Sequence, residues 1–163
     1  MLNETDESVY NQEKFVQMMR LCWERKMLPV NEFVNELASL GREKQKSFLM
    51  HCIRMLRENF VRNFGIEKIV YMTEREKTFS TRFSPYVHEG NIIPLFDEFE
   101  RAYSDIIRNG NGKIIFTDLC IKVMQNIRPW KTWKTKRYKL KIEPLKTENK
   151  YHTIFNFQFS IFN

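Results

Sequence analysis

Several residue types are scarce in this 163-residue chain, and each scarcity removes a class of protein. The three cysteines, Cys22, Cys52 and Cys120, are scattered and odd in number. A disulfide framework does not follow from such a set, and a reducing, cytoplasmic setting is the expectation. Their wide separation also lacks the close pairing of a zinc site. Five glycines and five prolines are too few for a collagenous or low-complexity chain. Gly110-Asn111-Gly112 lacks the strand-to-helix setting of a loop that cradles phosphate, so an autonomous nucleotide hydrolase is not expected. No stretch approaches the roughly 18 uncharged apolar residues of a membrane span. The acidic, polar start MLNETDESVYNQEK is the opposite of a secretory signal.

Apolar residues make up 42% of the chain and aromatics 14%, which is ample material for a packed core. The net charge of +7 is unevenly spread. Residues 1–128 carry 19 Lys/Arg against 18 Asp/Glu, whereas residues 129–163 carry eight against two. The body therefore lacks the charge footprint of a nucleic-acid-binding surface.

Hydrophobic spacing predicts an all-α body over 11–128, a compact bundle of five to six helices, after a disordered segment at 1–10. Phe15, Met18, Met19 and Cys22 share one face of a first helix. Pro29 suits the first turn of a second helix, which buries Val30, Phe33, Val34 and Leu37 and stops at a left-handed Gly41. The third helix, at 43–63, carries Phe48, Cys52, Leu56, Phe60 and Phe64 every fourth residue. Its wet side is expected to hold Lys44, Ser47, His51, Arg54 and Glu58. Thr73 and Glu76 read as a capping box opening a short helix, with Phe79 and Phe83 inward and Ser84-Pro85 as its break. Ile92, Leu95, Phe96, Phe99, Tyr103, Ile106 and Ile107 line one face of a fifth helix. Phe116, Leu119, Cys120, Val123, Met124 and Ile127 line a sixth, after the turn Asn109-Gly110-Asn111-Gly112.

Groups able to do chemistry are not gathered by this pattern. His51 is expected at the surface, His88 falls in a loop, and Asp97, Glu98 and Glu100 fall on a solvated side. No catalytic, cofactor-binding or metal-binding residue is assigned, and no enzyme activity is expected. The polar run Gly41-Arg-Glu-Lys-Gln-Lys46 is the exception in interest. Arg42 and Lys44 at a helix N-terminus oppose the dipole, a conflict that an acidic partner or a phosphate would relieve. Arg42, Lys44, Lys46 and Arg54 are thus the candidate partner interface.

Taken in order, the helical segments resemble a known family. The stretch MRLCWERKMLPVNEFVNELASLGREKQKSFLMHCIRMLRENFVRNF (19–64), then FSTRFSPYVHEGNI (79–92) and the helix pair to about Met124, is similar to the C-terminal collar domain of the delta-prime subunit of bacterial DNA polymerase III. The resemblance covers about residues 11–126. It implies a hetero-oligomer with other clamp-loader subunits that places a sliding clamp on DNA during replication. It further implies contact with DNA only through the complex, no membrane and no chemistry in this chain. None of that family's catalytic or metal positions falls in the sequence.

At Pro129 charge, composition and period change together. Tyr138–Ile142 and Phe155–Ile161 alternate as strands do, so the tail is expected to be a β-hairpin or a non-native frameshift or read-through extension. Its Lys131, Lys134, Lys136, Arg137 and Lys139, interleaved with Trp130, Trp133 and Tyr138, could contact nucleic acid by charge and stacking. The alternative function is accordingly a small helical nucleic-acid-binding regulator acting through this tail.

Overall fold

The computed structural model describes residues 6–63 and 70–127. These form six α-helices and one 3-10 turn, with no strand among the described residues. The basic tail, with its lysines, Arg137 and proposed strands, lies outside them, as do Phe64 and Gly65.

Helix α1, Asp6–Glu24, starts ahead of the position that apolar spacing alone gives. Asp6 and Glu7 place carboxylates in its first turn, where the helix dipole favours them. Residues 6–10, expected to be disordered, are therefore helical. The helix ends at Arg25, which takes the left-handed conformation with φ 55°. Helix α2, Met27–Ser39, buries Val30, Phe33, Val34 and Leu37, the face its spacing predicts.

Gly41 does not cap α2 in the left-handed region. It is extended at φ −62° and ψ 153° and is the N-cap of α3, Arg42–Arg62. The short helix α4, Glu74–Phe83, has its capping box in place: the Glu76 amide donates to Thr73 Oγ1, and the Thr73 amide donates to Glu76 Oε2 at 2.9 Å. A 3-10 turn at Ser84–Tyr86 follows, built around Pro85. Helix α5 spans Ile92–Ile107, and α6 spans Gly112–Asn126 behind an Asn111 side-chain cap.

Helices α1, α3, α5 and α6 pack as a closed cycle, each against the next, with α2 laid on α6 and α1. Phe15, Phe48, Phe99 and Phe116 are fully buried within it. Burying each such side chain is worth roughly 1.5–3 kcal/mol. Phe15 meets Phe79 and Phe83 edge-on at 5.9 and 5.6 Å, which seats α4 beside α1. Phe83 is buried, while Phe79 is only half-buried. Ile107 departs from expectation, being 53% exposed beside a buried Ile106. Neighbours on a helix point about 100° apart, so the last turn of α5 turns one of them outward.

The three cysteines are free and buried, and the Cys22 thiol donates to the Cys120 carbonyl at 3.6 Å. A side-chain hydrogen bond with Cys120, with burial behind it, pushes the Cys22 thiol up, and burial does the same at Cys52. Protonated thiols in a core are inert hydrophobes.

Side chains from other elements hold the carbonyl ends of several helices. Gln45 Nε2 reaches the Leu37, Ala38 and Leu40 carbonyls of α2 at 3.1, 3.2 and 2.9 Å. Arg25 donates to Met124 O of α6 at 3.2 Å. Asn91 Nδ2 bridges Tyr86 O and Asn126 O at 2.8 and 3.1 Å. Because Gln45 is buried, Gln45→Ala strands up to three carbonyls away from water. A loss of about 1–3 kcal/mol is expected, read as a lowered urea midpoint by circular dichroism; an unchanged midpoint would mean that water replaces the amide.

Candidate functional site

The four cations of the expected interface are not presented alike. Arg42 sits at the N-terminus of α3, yet its guanidinium lies on the carbonyl end of α5. It donates to Ile106 O at 3.3 Å and to Gly110 O and Asn109 O at 3.4 Å each. The conflict with its own helix dipole is thus met inside the molecule, by the negative end of another helix. Lys46 pairs with Glu43 at 2.6 Å. Lys44 is exposed. Arg54 turns inward, toward Glu76.

The strip of α3 expected to face water is exposed at Lys44 but covered farther along the helix. His51 and Glu58 are buried, because α1 lies over that side at His51 and the stretch before α4 at Glu58. Arg54 pairs with the buried Glu76 carboxylate and donates to Tyr71 O at 3.1 Å. Glu58 pairs with Arg57 at 2.5 Å and accepts the Tyr71 amide at 2.8 Å. Burial raises the Glu58 carboxyl, and the Tyr71 amide and the Arg57 charge act against that rise.

His51 Nε2 lies 2.9 Å from Gln12 Oε1, and Arg54 Nη2 lies 3.5 Å from Nδ1. Arg54 can only donate, so Nδ1 accepts, and the neutral ring donates from Nε2 to Gln12. Burial, seconded by the Arg54 charge, lowers the His51 pKa to about 3. His88 is buried as well, accepting the Gly90 amide at Nδ1 at 3.1 Å, so neither histidine is a surface residue. This polar cluster braces α1, α3 and α4 against one another. No group of three or more His, Cys, Asp or Glu among the described residues is arranged to hold a metal ion.

Asp97 is exposed, while Glu98 and Glu100 are only half-exposed. Arg101 ties α5 to α6 by reaching both Glu98 and Asp118 at 2.5 Å. Burial and the neighbouring Asp97 raise the Glu100 carboxyl.

A feature that periodicity did not reveal lies between α1 and the end of α4. Trp23 and Tyr86 meet edge to face at 5.0 Å, and Tyr86 continues into the Phe83–Phe79 stack. Together they floor a hollow of about 290 Å³ bordered by Arg20 and Arg82. Arg20 and Trp23 are three apart on α1, a spacing that puts them on one face. Arg82 and Tyr86 belong to a segment about sixty positions on, so only the fold brings the two pairs together.

The result is an all-helical body whose buried titratable groups serve packing and whose surface carries helix ends and one aromatic hollow. No protein-family model matches the chain, and no match is found among curated proteins or solved structures.

Proposed function

We propose that this chain is the subunit-assembly domain of a bacterial DNA polymerase III clamp loader, of the delta-prime collar type, with no chemistry of its own. The observation that carries the reading is the ordered resemblance over about residues 11–126. Its described residues make up α1 to α6, with apolar faces spent on the core and helix ends left for neighbours. A role in interface formation fits a surface on which titratable groups are dispersed instead of converging. Specific interfaces bury about 1,200–2,000 Å² in total, which a six-helix body can supply.

Of the four cations first considered, Lys44 and Lys46 remain suited to meeting a neighbour. Arg42 and Arg54 act through the fold. The test is reconstitution: the full chain mixed with purified clamp-loader subunits at micromolar concentration is expected to comigrate with them on gel filtration. Independent elution from every subunit would end the proposal. DNA binding by the chain alone that falls steeply with salt would favour the tail-based regulator instead.

A further inference from the structure

We infer that the hollow between α1 and the end of α4 is a docking pocket for a partner protein's acidic segment, which inserts one aromatic or large apolar side chain. The inference goes beyond the clamp-loader reading and does not depend on it.

Its floor is aromatic. Phe79, Phe83 and Tyr86 stack in sequence, and Trp23, 45% exposed, closes one wall. A tryptophan left half in water beside an open apolar hollow loses the favourable burial that one inserted side chain would restore. The volume of about 290 Å³ suits a single anchor residue. At the rim stand Arg20 and Arg82, both exposed, and no Asp or Glu borders the hollow. Neither guanidinium has a carboxylate partner among the described residues, whereas Arg75, farther along α1 and α4, is already paired with Glu13 at 3.3 Å.

Charge complementarity therefore selects carboxylates flanking the anchor, which guanidinium groups hold in two-pronged hydrogen bonds. Single-stranded nucleic acid is the less suitable occupant. It would need a run of stacking platforms along a groove with repeated phosphate contacts, and here only two cations flank one hollow.

The test uses the full chain and a fluorescein-labelled peptide with one phenylalanine between short Asp/Glu flanks, read by fluorescence anisotropy. Binding at micromolar to sub-millimolar concentration is expected. Arg20→Glu and Arg82→Glu should each weaken it at least about tenfold, and Trp23→Ala should do so without reversing any charge. Lys113→Glu, an equal charge change at an exposed position of α6, should leave it unaltered. A peptide with Asn and Gln flanks should bind at least about tenfold more weakly. Unaltered circular dichroism would show that the variants are folded, and a variant that failed this check would be replaced by Arg20→Gln or Arg82→Gln.

Several outcomes overturn the inference. The acidic peptide could fail to bind the full chain, as it would if the chain's own C-terminal residues filled the pocket. Lys113→Glu could weaken binding as much as the rim variants do. Oligothymidine could bind more tightly through the same arginines. Arg20→Glu could convert a dimer to a monomer by sedimentation with no peptide bound, which would make a second copy of this chain the occupant.

Discussion

Arg54→Met is expected to lower the stability of the fold by about 2–4 kcal/mol. The Glu76 side chain is 3% exposed and the Arg54 side chain 25%, so the carboxylate is enclosed and the guanidinium reaches partly to water. Breaking an enclosed ion pair from one side leaves the other charge buried without its counter-ion, which typically costs about 3–5 kcal/mol. The partial exposure of Arg54 shifts the expectation somewhat below that range. Methionine keeps the packing of the stem and removes the charge.

Glu76 carries a second duty that sharpens the test. Its Oε2 accepts the Thr73 amide in the capping box, so the carboxylate left behind also governs the start of α4. Urea denaturation of Arg54→Met, Glu76→Gln and the double variant should show the double losing clearly less than the two singles added. A single-variant loss below about 0.5 kcal/mol, the scale of a surface pair, would mean that the pair is solvated.

The second large effect is a dependence on pH. The unfolded chain protonates His51 near an ordinary pKa of about 6.5, while the folded chain resists until about 3. Below the unfolded value the unfolded state thus binds a proton that the folded state refuses, and stability falls as the pH falls. From pH 7 to pH 5 the His51 contribution is about 2 kcal/mol. Glu58 works in the opposite sense. Its raised carboxyl binds its proton more readily when folded, which offsets part of the loss at the acidic end. Urea midpoints at pH 7 and pH 5 should therefore separate in the native chain and draw together in His51→Asn. Equal separation in both would assign the acid sensitivity elsewhere.

The fold class and the buried faces of α2, α5 and α6 were readable from apolar spacing, because each of these helices turns one stripe to the core. The Thr73–Glu76 capping box was equally readable, since its two partners lie three residues apart. On α3 the same reasoning found the buried stripe of Phe48, Cys52, Leu56 and Phe60 but not the fate of the opposite side. His51, Arg54 and Glu58 have the polarity of a solvated strip, and only the placement of α1, α4 and the stretch before α4 over it makes them interior. The electrostatic partner of Arg42 was out of reach for a related reason: it is the end of a helix more than sixty residues later. The arginine-rimmed hollow was invisible because its two halves meet only in the folded chain. Local periodicity sees what a segment prefers to bury, and it carries no information on which neighbour arrives.

The side chains that hold the carbonyl ends of α2, α5 and α6 have a kinetic consequence. Gln45, Arg42 and Arg25 each belong to a different element from the one they secure. Fraying of a last turn held this way also detaches an anchor rooted in another element. Opening is thereby driven toward concerted events that involve more than one helix.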